Sequence, residues 1–417
     1  MRLSSFAATV EGETAFTVLA AARALKAAGK DVVELEIGDS PFPTTHSGRK
    51  AGIAAIEGGH TGYGPSIGLP EFREAASEFV SREFGIPAGP DNIVVGPGAK
   101  IFELLFCELF CDPGDGVLVF TPHFPTYPAN VARRGARLVL APLSDAHDFR
   151  PDLGAVAHFL ETDPAPRAVF LNSPHNPTGG VADAADLSDL AELLDGTDVA
   201  LFSDEPYCHM IWRGAHASPA ALPGMLDRTV AAYTFSKSYS MSGWRLGFAV
   251  ASAEAAARMG VLINTSLSCV PPFVQLAGMA ALEADTAERA DTMEAFAKKV
   301  DLLAGGLHEI PGVRVVPPAG TFYVFPNVKQ ICNEFGLTSA GLAAYLLEGA
   351  DDEFGVACLG GECFGAAGGG FLRFSCAEPD DRIAQAIEFT ANAFADAGRL
   401  RRFVAERPEL RAAIPYV

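Results

Sequence analysis

Thr234-Phe-Ser-Lys-Ser-Tyr-Ser-Met-Ser-Gly-Trp-Arg245 stands between two apolar β-rich runs, 230–233 and 246–250. Its lysine, Lys237, therefore stands just past the end of a strand. Taken alone, a lysine among serines reads as a solvated loop residue. Its neighbours change the reading: Arg245 follows Gly243 and Trp244, and Thr234 offers a hydroxyl three residues before the lysine. Together these groups could hold a phosphate.

Outward from this segment, short β-rich runs at 93–95, 117–120, 138–140, 168–171, 199–203, 230–233 and 246–250 alternate with helical stretches. That alternation predicts an α/β fold with a mostly parallel, seven-stranded sheet covered by helices on both faces. Ligands collect at the carboxyl ends of strands in such sheets. Toward the N-terminus, residues 15–28 predict a helix stopping at Gly29, and 32–37 has β character. Beyond the sheet, 272–307 reads as one long helical region, 313–316 and 321–325 as strands, 370–375 as a strand and 381–397 as a helix. These predict a second, smaller α+β domain. The glycine-rich 365–370 reads as a flexible loop, and 399–417 as a charged helix with a loose terminus.

Composition bounds the partners. A chain of 417 residues, 49% hydrophobic and 20% charged, buries a large core and exceeds what one core holds, about 250 to 300 residues. A formal charge of -20 repels nucleic-acid phosphates and anionic membrane surfaces. The start, MRLSSFAATVEGETAF, lacks the basic and apolar pattern of a secretory signal, and apolar runs such as 101–110 are interrupted by Glu103 and Glu108. The eight cysteines form no CxxC pair and no zinc-ligand spacing, so no metal site is expected. Buried thiols in a cytoplasmic protein are expected.

Further segments stand where ligands collect: Asn176-Pro-Thr-Gly179, Asp204-Glu-Pro-Tyr207, and Gly96-Pro-Gly-Ala-Lys100, whose backbone N–H groups open a helix. Each is ordinary alone; the first is a common turn sequence. In this order, and together with the segment around Lys237, they resemble the class I/II aminotransferases of the fold type I pyridoxal-phosphate enzymes, the aspartate aminotransferase-like group. The resemblance runs from Ile37 to Arg373.

The resemblance implies a large pyridoxal-phosphate-binding domain over 47–290 and a smaller domain formed by both chain ends, 1–46 and 291–417. It implies amino-group transfer from an L-amino acid to a 2-oxo acid, with Lys237 as the catalytic lysine that forms a Schiff base with pyridoxal 5'-phosphate and shuttles protons on the way to the pyridoxamine form. Asp204 would face the pyridine nitrogen, keeping it protonated so that the ring is an electron sink. Asn176 and Tyr207 would face the phenolate oxygen. Phe124 would stack on the ring. Ala99, Lys100, Thr234 and Arg245 would hold the phosphate, joined by Tyr63 from the neighbouring subunit of a homodimer. Arg373 would clamp the substrate α-carboxylate, with its fork meeting two oxygens, helped by Gly38 and Asn176.

The chain departs from the family pattern in Gly38-Asp-Ser-Pro-Phe42, where Gly-Glu-Pro-Asp-Phe is common, in Pro206, and in Thr234 for the commoner Ser. None removes a group the chemistry requires; the first leaves substrate choice open. No motif assigns a second arginine to a side-chain carboxylate, and 12–16 is a candidate lining of the side-chain pocket. Two other readings share the residues: a lyase or synthase on the same fold, and a non-catalytic ligand sensor, disfavoured by the acidic charge.

Overall fold

The computed structural model describes residues 1–416. Twelve strands are labelled in chain order: β1 Asp31–Glu34, β2 Ile93–Gly96, β3 Gly116–Thr121, β4 Arg137–Pro142, β5 Pro166–Asn172, β6 Ala200–Asp204, β7 Thr229–Thr234, β8 Gly247–Val250, β9 Tyr323–Val324, β10 Phe354–Ala357, β11 Leu359–Gly360 and β12 Leu372–Ser375. Seven of them build one sheet in the order β2-β8-β7-β6-β5-β3-β4. All are parallel except β8, which runs against both β2 and β7.

Most of these strands carry no alternation: β3, β6 and β8 inside the sheet and β2 at its edge are buried at every position. Helices cover both faces, and each side has its own apolar cluster, one around Phe102, Phe106, Phe170 and Phe202, another around Leu118, Val169, Leu187 and Leu201. A sheet buried on both faces must be apolar on both, so polar residues are pushed to its ends.

Residues from both ends of the chain build the smaller domain. β1 pairs in parallel with β10, and β12 lies between β11 and β9. Val33 and Leu35 share one hydrophobic cluster with Phe296, Leu346, Phe374 and Phe403.

Four sequence expectations need correction. The region 272–307 is two helices, Pro272–Ala284 and Thr286–His308, broken at Asp285, whose carboxylate accepts from the Ser47 and Gly48 N–H groups at 3.1 and 3.0 Å. The run 313–316 is no strand and makes only a bridge between Arg314 and Asn327, because Pro317 and Pro318 stop the ladder. The glycine-rich 365–370 is packed, not a free loop: Gly368, Gly369 and Gly370 are buried and Val328 N–H bonds the Gly370 carbonyl at 2.8 Å. The tail is tied down as far as Tyr416, the last described residue, which exchanges backbone bonds with the Asn333 side chain at 2.8 and 2.9 Å and whose hydroxyl bonds Glu362.

Candidate active site

Strand register brings the predicted residues together. Asn172 pairs with Asp204, Asp204 with Ala232, Thr234 with Gly247, and Gly247 with Gly96. The carboxyl ends of β2, β5, β6 and β7, and the start of the antiparallel β8, thus share one edge. A cavity of about 470 Å³ opens there. Gly38, Ala99, Lys100, Phe124, Asn176, Asp204, Tyr207, Thr234, Lys237, Arg245 and Arg373 all line it, each singled out from the sequence.

Lys237 donates from Nζ to the Gly38 carbonyl at 2.6 Å, and its ammonium stands 5.6 and 5.4 Å from the ring centres of Tyr207 and Phe322. A Cβ on Gly38 would lie 1.8 Å from the Tyr323 hydroxyl, so only glycine lets the segment that follows β1 come this close.

Asp204 is buried at the end of β6, and burial pushes its carboxyl up to about 6, opposed by a hydrogen bond from Tyr127. Its backbone carbonyl accepts from Asn172 Nδ2 at 2.8 Å, and Asn172 Oδ1 accepts the Asn176 N–H at 2.8 Å. One asparagine therefore fixes Asp204 and Asn176 together. Tyr207 shares a 3.1 Å hydrogen bond with the Tyr323 hydroxyl.

On the phosphate side, the Arg245 guanidinium donates to the Pro97 and Ser242 carbonyls at 3.0 and 2.8 Å. It comes so close to Gly98 (φ +88°) that a Cβ there would meet Nη2 at 2.7 Å. The helix Lys100–Phe110 begins at this point, its first N–H groups lacking helical partners. Thr234 and Ser236 hydroxyls lie 2.9 Å apart beside it. Positive charge, free N–H groups and two hydroxyls around one cup match a dianionic phosphate. The Lys100 side chain turns elsewhere, to an ion pair with Glu13, with its ammonium 5.1 Å from the Phe124 ring centre.

Arg373, on β12, is 4% exposed. Nη1 donates to Asn176 Oδ1 at 3.0 Å and Nη2 to the Glu36 carbonyl at 2.6 Å, while the guanidinium lies 4.3 Å from the Tyr323 ring centre. Its Nε has no partner. A buried guanidinium with an unpaired donor at a cavity wall fits an incoming carboxylate.

Tyr63 does not reach this cavity; it is 91% exposed. The sequence reading missed Tyr127, Asn172, Tyr323 and the buried acid Glu103, which accepts from Thr126 Oγ1 and Asn130 Nδ2 at 2.5 and 3.0 Å. The positions of Asn172 and Asn176, four apart around a turn, were the one signal that could have found Asn172. Segment 12–16 contributes Glu13, Ala15 and Phe16 to the wall of this cavity.

Comparison with known proteins gives the family. The family described as "Aminotransferase class I and II" matches residues 30–389. The chain is 34% identical over 375 residues to the arginine–pyruvate transaminase AruH of Pseudomonas aeruginosa, covering 89% of this chain and 93% of that one. It is 31% identical over 360 residues to an aspartate aminotransferase of Pyrococcus horikoshii, covering 86% and 89%. Among solved structures, the Thermus thermophilus aspartate aminotransferase with maleate superposes with a TM-score of 0.88 at 32% identity, covering 94% of this chain and 100% of that one. With the family match spanning most of the chain and its fold repeated at this level, the chain belongs to the class I and II aminotransferases, the aspartate aminotransferase-like family of fold type I pyridoxal-phosphate enzymes.

Proposed function

We propose that this protein is an aminotransferase that binds pyridoxal 5'-phosphate at Lys237 and moves the amino group of an L-amino acid to a 2-oxo acid. The observation that carries the reading is the meeting of Lys237, Asp204 and Arg373 in one cavity of about 470 Å³. When bound, the cofactor supplies an electron sink for charge at the substrate Cα. Asp204 would hold the pyridine proton, and a cation opposite it would favour the ionised form that burial now disfavours. Asn176 and Tyr207 would hold the phenolate oxygen, Phe124 would cover one ring face, and Ala99, Lys100 through its backbone N–H, Thr234 and Arg245 would hold the phosphate. Arg373 would orient the substrate carboxylate with the Gly38 backbone beside it, leaving the Lys237 amine placed to accept and hold the substrate Cα proton.

The same reading assigns 47–290 to the cofactor domain and 1–46 with 291–417 to the smaller one, supported by the shared cluster of Val33 and Leu35 with residues from Met293 to Phe403. It also makes the protein a homodimer. A second cavity of about 690 Å³ opens beside Arg245, walled by Trp244, Leu267, Val270 and Phe273. Gly64, next to the exposed Tyr63, donates to Sγ of Cys269 on its rim at 3.4 Å. A partner's Tyr63 entering there would approach the phosphate cup. All eight cysteines are free and six are buried, which supports a reducing, cytoplasmic location.

The test is a half-reaction. The protein purified with the cofactor is mixed with an amino acid panel, and conversion to the pyridoxamine form is followed by absorbance, with 2-oxo acid product measured in parallel. Stoichiometric conversion, lost in Lys237→Ala together with the lysine-bound absorbance band, is the expected result. Release of ammonia or carbon dioxide instead would favour a lyase or decarboxylating synthase, and no conversion with any amino acid would favour a sensor.

A further inference from the structure

Four cationic side chains line the cavity: Lys100, Lys237, Arg245 and Arg373. On the aminotransferase reading, on which this inference rests, three have partners among the cofactor and the α-carboxylate. Only Lys100 remains for a charge on the substrate side chain. The chain has already filled that place with an acid of its own. Glu13, in the segment entering the helix Thr14–Ala27, forms an ion pair with the Lys100 ammonium. The acid is the more enclosed partner, with its side chain 18% exposed against 44% for the lysine.

The rest of the wall on this side is Ala15, Phe16, Ile37 and Phe124, all uncharged. Glu103 is the remaining acid nearby, and burial first, then the neighbouring Asp204, push its carboxyl well above the usual carboxylate range. It offers nothing that attracts an anion. A substrate bearing a second carboxylate would therefore meet Glu13 and, among the described residues lining the cavity, no cation left over for it, and would have to displace Glu13 from Lys100. An uncharged side chain meets no such conflict.

We propose that Glu13 is a specificity-determining residue that neutralises Lys100 and so selects amino acids and 2-oxo acids with uncharged side chains over dicarboxylic ones. Selection of this kind works by a repulsive element against the wrong substrate as much as by contacts to the right one. The lysine becomes available to a dicarboxylate only when the glutamate is removed.

Two measurements on the holoenzyme test this. In the half-reaction, kcat/KM is compared for alanine, leucine, phenylalanine, aspartate and glutamate in the wild type, Glu13→Gln and Glu13→Ala. The best uncharged substrate should exceed both acidic ones in the wild type, and either variant should raise the acidic-to-uncharged ratio about tenfold, mainly through KM. Adding Lys100→Met to Glu13→Gln should cancel that gain. Independently of turnover, calorimetric titration with maleate should show binding about tenfold tighter in Glu13→Gln than in the wild type. A wild type that prefers aspartate or glutamate, or variants that leave both the ratio and maleate binding unchanged, overturns the proposal. Should no amino acid convert the cofactor, the aminotransferase reading fails on its own, and the maleate titration still decides the role of Glu13.

Discussion

The Tyr127 hydroxyl donates a 2.5 Å hydrogen bond to Oδ2 of Asp204, while the adjacent Thr126 hydroxyl donates one of equal length to Glu103. Two consecutive residues thus hold two buried carboxyl groups. Their roles separate by position: Asp204 ends a central strand and faces the cavity floor, whereas Glu103 sits in the first turn of the helix that opens the phosphate cup. Tyr127 itself is 2% exposed, its ring 5.1 Å from that of Phe170, so packing fixes the direction of its hydroxyl.

Asp204→Asn should leave cofactor affinity largely in place but slow the half-reaction by orders of magnitude, because an unprotonated pyridine is a poor sink. Tyr127→Phe removes one hydrogen bond to the same carboxylate and is expected to slow the reaction about tenfold, with the acid limb of the rate profile moved to higher pH. Single-turnover absorbance measured from pH 5 to 9 checks both; unchanged rates in Asp204→Asn would dismiss its role.

Arg373→Ala should cost about a hundredfold in kcat/KM for amino acids, since charge-assisted hydrogen bonds to the α-carboxylate are lost. Arg373→Lys is expected to recover little, as an ammonium cannot keep Asn176 and the Glu36 carbonyl while meeting two substrate oxygens. Amines lacking a carboxylate should be spared in both variants. Equal losses for amines and amino acids would refute the assignment.

Glu36 is fully buried, neither of its carboxylate oxygens has a partner, and burial pushes its carboxyl up to about 7. The folded chain therefore holds this proton to higher pH than the unfolded chain, whose carboxyl ionises near 4.5. Stability should fall as pH rises from about 4.5 to about 7, by on the order of 3 kcal/mol from this group, and stay level above. Glu36→Gln should remove that contribution, so its stability gain over wild type, measured by urea unfolding at pH 5 and pH 8, should be larger at pH 8.

Mixing Tyr63→Ala with Lys237→Ala chains under conditions of subunit exchange should give more activity than either parent. If Tyr63 acts across a two-fold interface, the mixed dimer keeps one site with both residues while its other site lacks both. Activity that never rises despite demonstrated exchange, or a monomer by light scattering, would count against the shared site.

The sequence determined the layers and where along the chain the candidate site residues stand. Seven apolar runs, alternating with helices, predict the sheet because strands buried on both faces must be apolar on both, and strand ends are where Lys237, Asp204 and Asn176 are legible as polar interruptions. The tertiary structure decided what spans long separations. Strand order and register placed Asn172 beside Asp204 and brought β8 back antiparallel, delivering Arg245 to Gly98. Folding of the N-terminal segment set Glu13 on Lys100, 87 residues away, and β12 carried Arg373 to Asn176, 197 residues away. Local pattern reports which face of an element is buried; it carries no record of which distant polar group a side chain will meet, because that is fixed only when the apolar faces have chosen their partners.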